Sequence, residues 1–363
     1  MKGERFKRLA ELLDERALDA LFIAPSSDLK YLTGLDLRQC SRLKGLFVPR
    51  EGSSFFLCPS LYMEDLRSLE GEIPVVEWKD GEGFQKAFKK GLEISGLEGG
   101  IKLAFTKGIE AGDMIDLVEG LDITCANGFT LLSPLRSVKS AEEQALMRKA
   151  SLMNDRMMEA LLTYLRPGLR EREIVKFVMN FHESHGGKPR VPGVATGVNS
   201  ASPHYSGTND RAVEDQDIVM VDCGGWYDGY SHDMTRTFFI GGVTEEQRKV
   251  YEIVLCAQER AEKMARTGSI PAELDAAARE IITRAGYGEA FNHRLGHGIG
   301  MDGHEPPYIS PSNREPLVEG NCFSIEPGIY LRGRFGVRIE NLLMLTSSGT
   351  EVINNFPKDL TIL

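Results

Sequence analysis

The chain has 363 residues, too many for one ordinary core, so two domains are expected. Hydrophobic residues make up 42% and charged residues 26%, the balance of a soluble globular protein. The formal net charge of −10 argues against nucleic acid or an anionic membrane as a main partner, since both need a basic face, and it suits a carboxylate-lined site whose cations would offset part of the excess.

Phe6, Leu9, Leu13 and Ala17 recur at helical spacing. Residues 20–23 then read as a short buried strand. Residues 46–48, 55–57, 73–76 and 101–105 are further strand candidates, with helical segments near 61–69, 84–92 and 114–118. This alternation predicts a small α/β domain over residues 1–132. Leu132-Ser133-Pro134 reads as a hinge into a second domain, residues 133–363. Ser140-Ala-Glu-Glu143 is a capping box, opening a long amphipathic helix that should stop at Pro167-Gly168, and a second helix is expected over residues 171–184. From Val191 onward strands, glycine-rich turns and isolated polar residues take over. Two helices, over residues 245–266 and 272–285, interrupt them, and strands near 322–331, 337–345 and 351–353 close the chain.

The six cysteines, Cys40, Cys58, Cys125, Cys223, Cys256 and Cys322, form no Cys-x-x-Cys pair and sit among apolar or small neighbours. Free thiols in a reducing compartment are the reading. The N-terminal segment alternates charged and apolar residues without the continuous apolar core of a signal peptide, and no stretch reaches the length of a membrane span. A cytoplasmic enzyme is expected.

Five of the seven histidines lie beyond residue 200, and four segments there carry the chemistry. Asp222 ends the apolar run Asp217-Ile-Val-Met-Val and precedes Gly224-Gly225, while Asp233 opens the returning run Met-Thr-Arg-Thr-Phe-Phe-Ile. A hairpin would bring the two carboxylates together, a costly arrangement unless a cation joins them; taken alone, a turn cap is the plainer account of each aspartate. His297 lies between Gly296 and Gly298, which allow close approach of backbone and imidazole. A satisfied core histidine is the plainer account of it. His304, before Glu305-Pro306-Pro307, follows at the exit of the same loop. Glu326 interrupts an apolar strand on the same face as Ser324, and the adjoining Pro327-Gly328 favours a bulge that re-aims its side chain. Arg338 and Glu340 share a face, as a plain salt bridge would also have them. Two aspartates, one histidine and two glutamates together suit two divalent cations, since carboxylates can bridge. Such oxygen-rich chemistry favours manganese, cobalt or iron(II), with zinc or magnesium left open.

These segments, in this order, resemble the pita-bread metallopeptidases: aminopeptidase P, prolidase and methionine aminopeptidase. Residues 19–25 with Tyr31-Leu-Thr-Gly34 resemble the creatinase-type N-terminal domain, so the resemblance covers nearly the whole chain. It implies an α+β fold, a pita-bread catalytic domain preceded by a smaller ribonuclease H-like α/β domain. By resemblance Asp222, Asp233, His297, Glu326 and Glu340 would be metal ligands, with Asp233 and Glu340 bridging two ions, manganese or cobalt first and zinc or iron as alternatives. His204 and His304 would contact the substrate and serve catalysis, and Arg338 would support substrate binding. Glu326 is also the candidate proton relay.

The implied activity is hydrolysis of the N-terminal peptide bond of small Xaa-Pro peptides, of aminopeptidase or dipeptidase type, through a hydroxide held between the metals. A homodimer is implied by the same analogy. Alternatives are a C–N or C–S cleaving relative on the same fold, or a binding relative without catalysis. Three positions depart from the pattern: Gly303 where a β-branched residue is usual, Asn341 for the more usual acid, and Tyr205 where many members have glycine. They touch substrate-facing positions and remove no ligand.

Overall fold

Short apolar runs become strands in the N-terminal unit. The computed structural model describes residues 2–69 and 71–363. The elements, in chain order, are α1 (Lys2–Glu15), β1 (Ala20–Ile23), α2 (Ser27–Thr33), β2 (Gly45–Pro49), β3 (Phe55–Pro59), a 3-10 helix (Ser60–Leu69), β4 (Val75–Trp78), α3 (Gln85–Ser95), β5 (Ile101–Phe105), α4 (Ala111–Val118) and β6 (Ile123–Asn127). Among the described residues the strands form one sheet in the order β4-β3-β2-β1-β5-β6. Its core is aromatic: Phe47 stacks on Phe55 at 4.8 Å, and Phe88 of α3 packs edge-on against Phe47 at 5.8 Å.

Two boundaries differ from the sequence reading. Ala17 lies beyond α1 with φ of 50°, a left-handed conformation that ends a helix. The fourth strand begins at Val75, after a turn, rather than at residue 73. The short α2 was not foreseen. It is held by Ser26, whose side chain accepts from the Leu29 amide, and by a left-handed cap at Gly34.

The chain divides into two units, Met1–Arg136 and Ser137–Leu363. A single helical turn, α5 (Ser133–Ser137), stands where the hinge was expected. The second unit begins with α6 (Ala141–Tyr164) and α7 (Glu171–Ser184). The capping box at Ser140 and Glu143 forms reciprocally, and α6 ends ahead of Pro167 as the sequence predicts. The strands β7 (Lys188–Pro189), β8 (Gly193–Thr196), β9 (Ile218–Tyr227) and β10 (Tyr230–Phe239) follow. A second helix pair, α8 (Glu245–Met264) and α9 (Pro271–Arg284), leads into β11 (Gly296–Gly298), β12 (Glu305–Ile309), β13 (Cys322–Ile325), β14 (Gly328–Leu331), β15 (Phe335–Arg338), β16 (Asn341–Thr346), β17 (Gly349–Val352) and β18 (Thr361–Ile362).

Among the described residues, one sheet runs β18-β10-β9-β7 with β8 also on β9, and another runs β12-β11-β13-β16-β17. Each sheet lies on one helix pair. Met157, Leu161, Ile174 and Val178 pack on Val219, Val221, Met234 and Phe238. Val250, Val254, Leu274 and Ile282 pack on Phe323, Ile325, Val337 and Leu343. With period-two alternation, this burial leaves Asp222, Asp233 and Thr235 on the opposite face of the first sheet. Among the described residues no helix is long and apolar enough to cross a membrane.

Candidate metal centre

The hairpin between β9 and β10 turns at Asp228-Gly229, both with positive φ (49° and 84°), the geometry that matches strand twist in a two-residue loop. Its register sets Thr235 opposite Asp222 and Asp233 opposite Gly224. The two aspartates are therefore diagonal neighbours on one face, close enough for their side chains to converge.

His297 sits at the middle of the three-residue β11. A Cβ at Gly296 would stand 1.9 Å from the Ser324 carbonyl oxygen, and one at Gly298 would stand 2.4 Å from Pro306. Only glycine permits the backbone approach that puts this imidazole against the next strand. The His297 amide donates to Ser324 Oγ (3.0 Å), and that hydroxyl donates to Glu326 Oε1 (2.9 Å).

The two glutamates lie in breaks between strands. The expected strand over 322–331 divides at Glu326-Pro327, and the one over 337–345 divides at Ile339-Glu340. Ile325 pairs with Asn341, so the same register, extended one step, sets Glu326 opposite Glu340. Thr235 joins the two sheets: its hydroxyl donates to Glu340 Oε2 (2.7 Å), and its carbonyl accepts from the Glu340 amide (3.1 Å).

Asp222, Asp233 and Glu340 bring carboxylate oxygens within 4.8 Å of one another; His297, Glu326 and Glu340 do the same, as do Asp233, His297 and His304. All five side chains expected as ligands thus meet. His304 reaches the edge of the cluster, its ring 3.9 Å from that of His297. His204 lines the cleft above. Arg338, 4% exposed, donates to Asp222 Oδ2 (2.7 Å), Thr235 Oγ1 (3.0 Å), Tyr330 Oη (2.9 Å) and the Pro203 carbonyl (3.0 Å).

Crowding four carboxylates in a buried place shows in their proton affinities. Burial pushes Asp233 up to about 7 against the pull of Arg190. Burial likewise pushes Glu326 up to about 7, against Arg338. Glu340 lies well above the usual carboxylate range, through burial and the charges of Asp233 and Glu326. Burial acts on Asp222 too, but Arg338 and Arg190 outweigh it and hold this carboxyl below the ordinary value. Burial, then His304, pushes His297 down to about 3, so the ring is neutral. Its Nδ1 faces the Gly298 carbonyl at 3.1 Å, which assigns the proton there. Nε2 then presents a lone pair to Glu326 Oε1 at 3.2 Å. Two acceptors facing each other at that distance are stabilised by a cation between them.

The donor set therefore fits divalent metal: hard oxygens, one correctly oriented imidazole, and four carboxylate charges that match two dications. A cleft of about 1010 Å³ opens above. Val191, Pro192, Val194, Met220 and Trp226 supply its apolar wall, and Arg190, Arg294, His204 and His304 its polar groups. The sequence reading missed Arg190, Arg294 and Thr235. Thr235 stood two residues from Asp233 on the same face, so strand periodicity was a usable signal for it. The arginines carried none.

Buried carboxylates gathered around one neutral imidazole beneath an open cleft define a metal-dependent hydrolase. Residues 145–347 match metallopeptidase family M24, and residues 5–112 match the creatinase/prolidase N-terminal domain. The chain is 33% identical over 360 residues to an Xaa-Pro dipeptidase of Pyrococcus horikoshii, the alignment covering 99% of each. The crystal structure of a dipeptidase from the same organism superposes with a TM-score of 0.93 at 36% identity, covering 99% of this chain and 100% of that one. A recombinant prolidase from Thermococcus sibiricus gives 0.93 at 34% identity, covering 100% and 99%. The chain belongs to metallopeptidase family M24. It is a metallopeptidase of pita-bread architecture with a creatinase-type N-terminal domain, and its cofactor is divalent metal.

Proposed function

We propose that this protein is an Xaa-Pro dipeptidase in which Asp222, Asp233, His297, Glu326 and Glu340 would hold two divalent cations. The observation that carries this reading is the convergence of those five side chains around overlapping groups within 4.8 Å. The printed names of the full-length relatives, Xaa-Pro dipeptidase and prolidase, support the substrate. The oxygen-rich donor set favours manganese or cobalt, with zinc or iron as alternatives. Free cysteines favour a reducing, cytoplasmic setting, and the family resemblance favours a homodimer.

When bound, two divalent cations supply Lewis acidity and make a water reactive near neutral pH. The chain's own groups do the rest. Ser324 Oγ–H holds Glu326 Oε1 in place (2.9 Å), so this carboxylate can take up and relay the proton that the attacking water gives up. His204 and His304, at the cleft wall, stand where they can donate to the developing oxyanion or to the leaving nitrogen. The prolyl nitrogen must gain a proton as the C–N bond breaks and it leaves as a secondary amine, so that protonation is a real part of the barrier. The apolar wall of Val191, Pro192, Val194 and Met220 suits the pyrrolidine ring. Arg338 fixes Asp222 from behind (2.7 Å) and supports the substrate side of the cleft.

The test is Glu340→Gln, measured for bound metal and for hydrolysis of Ala-Pro beside the wild type. Loss of both is expected, and a variant that keeps both sinks the assignment. Comparing Ala-Pro with Ala-Pro-Gly separates dipeptidase from aminopeptidase: the tripeptide should be a poor substrate.

A further inference from the structure

Arg190 is outside the ligand set, yet it lies among the ligands. Pro189 pairs with Gly225 at the end of β7, and the Arg190 amide donates to the Gly224 carbonyl (3.0 Å). From there the side chain crosses the aspartates. A single nitrogen, Nη2, donates to Asp233 Oδ1 at 2.9 Å and to Asp222 Oδ1 at 3.1 Å.

Glycines make this path. A Cβ at Gly224 would stand 3.1 Å from Arg190 Nη2, and one at Gly303 would stand 3.6 Å from Nη1. A β-branched side chain at position 303 carries atoms about 1.5 Å further out and would meet the guanidinium. Gly303, one of the positions that departs from the expected pattern, is thus the space Arg190 occupies.

The two arginines of the centre differ in kind. Arg338 is locked by Thr235, Tyr330 and the Pro203 carbonyl besides Asp222. The Arg190 guanidinium rests on the two carboxylates themselves, and its side chain is 32% exposed at the cleft. It holds one oxygen of each aspartate, Oδ1 in both, and so competes with any cation for those atoms. Two dications would balance four carboxylates, and Arg338 already adds a positive charge at Asp222, so with both ions bound the charge of Arg190 would be surplus.

We propose that Arg190 is an internal counter-cation: it bridges Asp222 and Asp233 and competes with a divalent ion for their oxygens. This rests on the assignment of those aspartates as ligands. Arg190 acts through them and is a positioning residue. It lowers the affinity of the ion that competes with it, so the two ions bind unequally, and it keeps the emptied site folded.

The experiment titrates Mn2+ by calorimetry into chelator-stripped wild type, Arg190→Leu and Arg190→Lys, and follows thermal unfolding with and without Mn2+. Removing a charge-assisted hydrogen-bonding competitor should tighten the weaker site by about tenfold to a hundredfold in Arg190→Leu. Its metal-free form should melt below the wild type, while its loaded form should melt with it. Arg190→Lys keeps the charge without the planar fork and should fall between. Gly303→Val, which crowds the guanidinium out, should shift Mn2+ affinity in the same direction with Arg190 intact.

Equal or weaker Mn2+ binding by Arg190→Leu overturns the proposal. So does a variant that fails to fold when loaded, because the ions are held to replace the missing charge. A wild type that takes up no Mn2+ overturns the ligand assignment itself. A wild type that takes up two ions beside an unchanged Arg190→Leu overturns the competition alone.

Discussion

Thr235 offers the sharpest test of how the centre is held. It is fully buried. Its hydroxyl donates to Glu340 Oε2 at 2.7 Å and accepts from Arg338 Nε at 3.0 Å. Thr235→Val keeps the branched shape and the backbone bonds and exchanges that hydroxyl for a methyl. A hydrogen bond to a charged group is worth about 1.5–3 kcal/mol.

The direction follows from the state the bond favours. An O–H donated to a carboxylate stabilises the ionised form, which metal binding requires, and Glu340 already lies well above the usual carboxylate range through burial. Without the hydroxyl the metal competes with a more tightly held proton. At about 1.4 kcal/mol per tenfold the loss is about tenfold to a hundredfold in Mn2+ affinity, the range typical of groups that orient a metal's ligands. Calorimetric Mn2+ titration and kcat/KM for Ala-Pro, both at pH 7, read the effect, with Thr235→Ser as the rescue. A valine variant indistinguishable from the wild type in both measurements refutes the argument that this hydroxyl holds Glu340.

Gly296→Ala sets a Cβ 1.9 Å from the Ser324 carbonyl oxygen, where backbone meets backbone and neither yields cheaply. We expect a loss of about 1–3 kcal/mol in urea unfolding together with reduced metal content, because β11 carries His297; normal stability with full metal content would contradict this. His182, buried against the His232 ring at 4.8 Å, is pushed from 6.5 down to about 4 by burial and then by His185. Its folded-state pKa lies below the unfolded one, so its contribution is complete above about pH 6.5 and lost as pH falls toward 4, up to about 3 kcal/mol. His182→Leu should flatten that acid loss when both proteins are unfolded in urea without metal at pH 7 and pH 4.5; parallel losses would show the imidazole is not responsible.

Much of the fold was legible because its signals are local. The capping box at Ser140, the stop before Pro167, and the helix over Glu171–Ser184 are each decided within a few residues. The hairpin was legible through the apolar runs that precede Asp222 and follow Asp233, but its strands run on past both aspartates to a turn at Asp228-Gly229 that the runs did not mark. What failed was also local, but weak. The half-exposed β6 has little hydrophobic contrast between its faces, and α2 owes its seven residues to its caps more than to any periodicity.

The site divides along a different line. Each proposed ligand stood out by its neighbours (glycines beside His297, a strand interrupted at Glu326, acids at the ends of apolar runs), but alone each also had a plain structural account, and only the family resemblance joined the five into one set. What holds the ligands comes from register between distant segments, and that is where local reading stops. Thr235 serves Glu340 because β10 passes the break before β16. Arg190 reaches the aspartates because β7 pairs with β9, and because position 303, more than a hundred residues on, has no side chain to block it. Asn341 shows the same logic. Its Oδ1 accepts from the buried Arg236 at 2.8 Å, and Arg236 also donates to the Glu340 carbonyl at 2.5 Å. An acid at 341 would bring another buried negative charge beside Glu340, which already lies well above the usual carboxylate range. The amide supplies the acceptor that Arg236 needs without that charge. Two departures that look like erosion of a motif, Gly303 and Asn341, thus bear on how charge is set around the buried carboxylates, the one by leaving room for Arg190 and the other by adding no further acid beside Glu340.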